Sequence, residues 1–173
     1  MKKLLIVISL LGICSCATIK VQYDYEKNTN FSNYSTYHYY YNIDTGLSEL
    51  DDKRLFRAVD SVLQSKGFLL SEEPDFLVNI TSMSFSSPRQ NTIGLGVGGG
   101  GGAMGGGVSV GLPLGGTKEE KQFQFDFIDS QKESLFWQAI SISNYKEEGT
   151  PAAREKQLQE IVSKVFAKYP PKK

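Results

Sequence analysis

The stretch KQFQFDFIDSQKESLFWQAISIS, residues 121–143, decides the fold. Phe123, Phe125 and Phe127 recur at every second position with Gln122, Gln124 and Asp126 between them, so Lys121–Asp129 reads as a strand with one apolar face. Leu135–Ser143 repeats the alternation and places Leu135, Trp137 and Ala139 together. The polar Ser130-Gln131-Lys132-Glu133 between them is turn-forming, so the two runs close as a hairpin whose aromatic faces share a core.

Working outward, Pro74-Asp75 opens a strand through Phe76, Val78 and Ile80 that runs to about Phe85. Near the start, Ile19, Val21, Tyr23 and Tyr25 alternate with Lys20, Gln22, Asp24 and Glu26, and a further β-type run, Tyr34 to Tyr41, follows the turn-prone Lys27-Asn28-Thr29-Asn30. Two segments carry helical spacing instead. Ser48 and Asp51 form a capping-box pattern ahead of Leu55, Ala58, Val59, Val62 and Leu63, with Lys53, Arg54, Arg57, Asp60 and Gln64 on the other side and Gly67 as the stop. The last helix enters at Thr150-Pro151, carries Leu158, Ile161, Val162, Val165 and Phe166, and ends before Pro170-Pro171. This order predicts an α+β fold: a mostly antiparallel sheet of about five strands, two helices packed on one face, and a core that includes Trp137 and Val162.

The first sixteen residues, MKKLLIVISLLGICSC, have two lysines, an apolar run from Leu4 to Ile13, and a small residue before Cys16. About ten apolar residues are half of what a bilayer crossing needs, so the segment reads as a cleaved signal, residues 1–15, with the remaining 16–173 as one α+β domain. Ile13-Cys14-Ser15-Cys16 resembles a lipobox, and Cys16 is the expected lipid acceptor because Ser15 before it is small. Several acyl chains there, at about 0.8 kcal/mol per buried methylene, would anchor the domain to the outer membrane or to the periplasmic face of the inner one. With Cys14 removed, no internal disulfide can form. The chain balances 19 basic against 19 acidic residues and turns slightly acidic without Lys2 and Lys3, which argues against a nucleic-acid partner.

Of the 17 glycines, 13 fall between Gly94 and Gly116. The dinucleotide-type patterns that occur there lack the helix that their chemistry requires, the phosphate loop fails because no Gly-Lys-Ser/Thr follows at its spacing, and the Ser109 nucleophile-elbow match lacks its strand-to-helix context. Residues 91–117 are expected as a flexible Gly-rich hairpin loop, far longer than the usual few residues. Two readings stand open, a linker or a ribbon whose Ile93, Leu95, Val97, Val108, Val110 and Leu112 touch membrane or a partner.

Among chemically able side chains, His38 is the only histidine and cannot build a zinc site by itself. Asp126 and Asp129 fall on opposite strand faces, and Asp129 opens a turn where aspartate is favoured anyway. Tyr34, Tyr37, Tyr39, Tyr40 and Tyr41 suit sugar stacking or a membrane interface, but the alternation puts Tyr37, Tyr39 and Tyr41 under a helix. No catalytic, cofactor-binding or metal-binding residue is therefore assigned.

Several segments resemble a known group. Phe31-Ser32-Asn33-Tyr34-Ser35-Thr36-Tyr37, Val62-Leu63-Gln64-Ser65-Lys66-Gly67-Phe68, Pro74-Asp75-Phe76-Leu77-Val78, Phe127-Ile128-Asp129, Leu135-Phe136-Trp137-Gln138-Ala139 and Phe166-Ala167-Lys168-Tyr169-Pro170 are similar to stretches of bacterial lipoproteins carrying the domain of unknown function 4136. The resemblance covers nearly all of residues 16–173 and implies a small envelope-facing domain, with no established activity attached. The expected function is that of a non-enzymatic, membrane-anchored binding or assembly module with an envelope protein or cell-wall partner. A small cell-wall-directed hydrolase or carbohydrate-binding module is the alternative.

Overall fold

A computed structural model describes residues 18–88, 92–93, 112–113 and 117–171. Cys16 and most of the glycine tract lie outside them. The elements run β1 (Lys20–Tyr25), β2 (Thr36–Tyr39), α1 (Glu49–Ser65), β3 (Leu69–Leu70), β4 (Phe76–Pro88), β5 (Thr92–Ile93), β6 (Leu112–Pro113), β7 (Thr117–Asp129), β8 (Ser134–Ser143) and α2 (Pro151–Phe166). The fold is α+β.

Six strands form one sheet in the order β1-β8-β7-β4-β2-β3. The β1–β8, β8–β7 and β7–β4 pairs are antiparallel, whereas β4–β2 and β2–β3 are parallel. The mostly antiparallel sheet of about five strands is thus corrected to a mixed sheet of six. The cause is α1, which carries the chain from β2 back over the sheet to β4; a strand–helix–strand unit of this kind returns parallel. The extra strand, β3, is two exposed leucines directly after the α1 stop, too short to show any periodicity.

α1 begins as the sequence predicts, with the Ser48 hydroxyl accepting from the Asp51 amide. Its end is a Schellman-type turn in which Gly67 takes φ 92°, Gly67 N–H donates to Gln64 and Phe68 N–H donates to Leu63. α2 has Pro151 in its first turn and the Thr150 hydroxyl as cap. Both helices pack on one face of the sheet, where Tyr37, Phe76, Val78, Ile80, Phe123, Phe125, Phe127, Trp137 and Ala139 meet Leu55, Leu63, Leu158, Val162 and Phe166. Trp137 and Val162 are fully buried, as the periodicity predicts, while Val62 is only partly covered.

Two strand readings change. β8 carries a bulge: Phe127 pairs with Trp137 but Ile128 pairs with Leu135, leaving Phe136 as the extra residue. An extra residue reverses the alternation, so Phe136 turns inward beside Trp137 and Leu135, expected with Trp137 and Ala139, is 50% exposed instead. β2 stops at Tyr39, and Tyr41, expected under a helix, is 85% exposed.

The predicted solvent face of α1 is likewise only partly solvated. Asp60 accepts hydrogen bonds from Tyr37 (2.8 Å) and Tyr39 (2.7 Å), and Arg54 is held by Asp51. Asp51 itself is 2% exposed and also binds Arg154 of α2 at 2.7 Å, which makes it a clamp between the helices. Tyr37 and Tyr39 are pushed above the ordinary phenol range, first by burial and then by the Asp60 carboxylate.

Candidate functional site

Where β4 begins and β7 ends, the chain leaves an open cleft of about 1050 Å³. Tyr34, Tyr40 and Tyr41 stand on one side, Lys132 and Glu133 on another, and Leu77 and Ile128 lie within the lining. The β8 bulge shapes this end of the sheet. It turns Phe136 inward, and the Tyr34 ring stacks on it at 4.1 Å with parallel planes.

Two carboxylates dominate the polar lining. Asp129 is nearly buried and accepts from the Tyr34 hydroxyl (2.9 Å), the Gln131 and Lys132 amides (3.0 and 2.9 Å) and the Lys132 ammonium (3.0 Å). Burial alone would raise its pKa, but these donors, led by the Lys132 amide and ammonium, outweigh it and bring the carboxyl down to about 2. Tyr34 is correspondingly pushed up to about 12, by burial first and then by Asp129. Asp75 is held by the Ser35 amide and hydroxyl (2.8 and 3.0 Å) and the Thr36 amide (2.9 Å). Its burial is outweighed by those donors, so its pKa is also lowered.

These bonds are sutures. Asp75 ties the start of β4 to the start of β2, and the Asp75 carbonyl accepts from Ser130 in the β7–β8 turn. Asp129 closes that turn, in which Glu133 adopts a positive φ of 52°. A carboxylate held below its usual pKa by such donors carries no proton near neutral pH and is a feeble base. The site offers aromatic edges and a charged rim for binding.

The sequence-derived candidates separate as follows. Asp126 and Asp129 do fall on opposite faces: Asp126 lies outward and accepts from Gln138 (2.7 Å) and Gln124 (3.0 Å). Tyr37 and Tyr39 are tied to Asp60, whereas Tyr34, Tyr40 and Tyr41 line the cleft. His38 pairs with Leu77 on the outer face of the sheet, its Nδ1 3.0 Å from the Tyr39 carbonyl. Among the described residues no three His, Cys, Asp or Glu side chains gather as a metal site, and no helix is long and apolar enough to cross a membrane. Cys16 and Ser109 lie outside the described residues. Sequence reasoning missed Asp75, although the Pro-Asp before a strand signals a chain end that needs pinning.

Among the described residues no helix covers the sheet's other face. Leu77, Ile128 and Ile140 sit half-buried there among Asn79, Gln122, Gln124, Asp126 and Gln138.

Among solved structures, a PDZ domain protein from Parabacteroides distasonis is similar with a TM-score of 0.59 at 16% identity, over 90% of this chain. The chain spans only 37% of that protein, and the likeness shows the fold alone. PelC from Paraburkholderia phytofirmans, solved as a dodecamer, is similar at 9% identity with a TM-score of 0.44, over 84% of this chain and 95% of that one. No curated protein sequence matches the chain. The family described as Domain of unknown function (DUF4136) matches residues 21–171, and the chain belongs to it.

Proposed function

We propose that this protein is an envelope lipoprotein, acylated at Cys16 and held on the outer membrane or the periplasmic face of the inner one, whose domain binds another envelope component without catalysing a reaction. The observation that carries the reading is the commitment of Asp75 and Asp129 to the fold, Asp129 through both of its oxygens and Asp75 through Oδ2. The most ligand-sized cleft presents carboxylates already committed to the fold, while the surface left for a partner is the helix-free sheet face with its glutamines and scattered aliphatic side chains. β1 begins at Lys20, and three or four extended residues between it and Cys16 reach only about 13 Å, which keeps the domain close to the headgroups. The glycine tract, in this reading, is the loop of the β4–β7 hairpin.

A second reading, a carbohydrate-binding module, is favoured by Tyr40 and Tyr41, which stand 43% and 85% exposed at the cleft and offer rings to a sugar. Two experiments test the pair. Cys16→Ser should leave the protein as a soluble form or an uncleaved precursor; a cleaved Ser variant that stays on the membrane refutes the anchor. A photo-crosslinking residue at Gln124 should capture a protein in intact envelopes. No protein captured from Gln124, together with co-sedimentation on isolated cell-wall glycan that Tyr41→Ala abolishes, would instead favour the glycan cleft.

A further inference from the structure

Among the described residues β1 is an edge strand of the sheet, paired with β8 on one side only. Its hydrogen-bonding parity is fixed by two contacts. Glu26 N–H donates to the Phe136 carbonyl, so even-numbered residues turn their backbone toward β8, and odd-numbered ones turn it outward. The Tyr25 amide agrees, since it faces away from β8 and is met only by its neighbour, Asp24 Oδ1, at 2.8 Å. Val21, Tyr23 and Tyr25 therefore present free backbone groups along six residues that contain no proline, the kind of edge another strand can join.

We propose that this edge pairs with the same edge of a second copy, antiparallel about a two-fold axis at Gln22. In that register Val21 faces Tyr23 of the other copy and exchanges backbone bonds with it, as the outward parity of both residues requires. Lys20 then faces Asp24 of the other copy at a non-hydrogen-bonded position, where side chains lie closest. The symmetry forms this ion pair twice. Among the described residues neither Lys20 nor Asp24 makes a direct ion pair within its own chain, although Lys20 lies near enough to Glu120 to help lower its pKa. The swap is also balanced: the Tyr25 amide passes from Asp24 to the Ile19 carbonyl of the second copy, which releases Asp24 for Lys20. Shifting the register by one residue puts inward-facing amides opposite outward ones, and shifting by two in either direction separates Lys20 from Asp24. A shift by two about Tyr23 keeps the parity and sets Lys20 opposite Glu26, but it leaves the Asp24 released by the Tyr25 amide facing Gln22; only the register about Gln22 gives that carboxylate a cation. The axis stands perpendicular to the sheet, so both helical layers lie on one side of the joined sheet and both helix-free faces on the other.

Gln22 is exposed and lies on the axis, where Cα atoms of a non-hydrogen-bonded pair stand about 4.5 Å apart, within disulfide range. The full-length Gln22→Cys chain, in native membranes under mild oxidation, should run as a disulfide-linked dimer absent from the unsubstituted chain. Adding Lys20→Asp, which sets like charges opposite each other twice, should cut the dimer about tenfold, and the charge swap Lys20→Asp/Asp24→Lys should restore it. Tyr25→Cys, distant from its own copy across the axis, should not crosslink. Failure of Gln22→Cys to dimerise, or dimerisation indifferent to Lys20→Asp, overturns the proposal. None of these outcomes depends on a partner for the open face, and run in whole cells the comparison does not need the anchor, because dimers made through an unacylated Cys16 would form without Gln22→Cys and would ignore Lys20→Asp.

Discussion

Replacing Asp51 by alanine should be among the costliest single changes in the domain. Asp51 is 2% exposed and its two oxygens are taken by Arg54 of the same helix (2.6 Å) and Arg154 of α2 (2.7 Å), which are themselves 11% and 18% exposed. Lys121 and Tyr145 lie at the same end of the core, with the Lys121 ammonium 6.0 Å from the Tyr145 ring centre and paired to Glu147. Truncation leaves two covered guanidinium groups without an anion, and breaking a buried pair by removing one partner costs about 3–5 kcal/mol. For a domain of this length about 1 kcal/mol moves the melting temperature by roughly 2–4 °C, so a fall of roughly 6–20 °C is expected. Urea denaturation of Asp51→Ala, Arg154→Met and the double variant measures the bond across the helices, and a coupling of at least about 1 kcal/mol is expected for groups in direct contact. Additive effects of the two changes, or a loss below about 1 kcal/mol for Asp51→Ala, would show that the helices dock through their apolar stripes alone.

Trp137→Ala should cost about 3–5 kcal/mol in denaturant unfolding, because the indole is fully buried against Phe127, Phe166 and Tyr169. Trp137→Phe should cost much less, since it keeps an aromatic ring in the same place and no described residue accepts from the indole N–H; equal costs would refute the packing argument. Asp129, with its pKa at about 2 against 3.8 when unfolded, stabilises the fold above pH 4 and loses that contribution as the pH falls toward 2. Asp129→Asn should therefore flatten the acid limb of a stability–pH profile, and an unchanged limb would count against the turn network. Pro88 and Thr117 are register partners, so joining them through Asn-Gly in place of residues 89–116 should leave a cooperative transition, neutral or more stable by about 1–2 kcal/mol; aggregation or a broadened transition would assign the tract to the core.

What the sequence discloses and what it hides follow from the range of each interaction. Phe123, Phe125, Phe127 and the stripe from Leu158 to Phe166 are local periodicities, so both the hairpin and α2 are legible from residue spacing alone. The parallel placement of β2 is not local: it depends on which way α1 returns the chain, and Tyr37 looks the same in either arrangement. The bulge at Phe136 is hidden for a related reason. Leu135-Phe136-Trp137 is uniformly apolar, and only pairing with Ile128 and Phe127 determines which two of the three turn inward. The cleft is illegible because its parts, Tyr34, Asp75 and Asp129, are 41 and 54 residues apart in turn and meet only through the strand order.

A perturbed carboxylate in a cleft is ordinarily a pointer to chemistry, but the direction and the cause of the shift carry the information. A catalytic acid or base near neutral pH needs its pKa brought toward 7, which burial without donors or a second anion achieves. Asp129 is moved the opposite way, by donors from its own turn and from Tyr34, and Asp75 by donors from Ser35 and Thr36. Each donor belongs to a segment that would otherwise be loose: the β7–β8 turn and the residues leading into β2. The perturbation is thus the electrostatic signature of fastening an end of the sheet where three chain segments converge. That fastening is what the lowered pKa of each carboxylate reports, and it takes both groups out of the set available for acid–base chemistry.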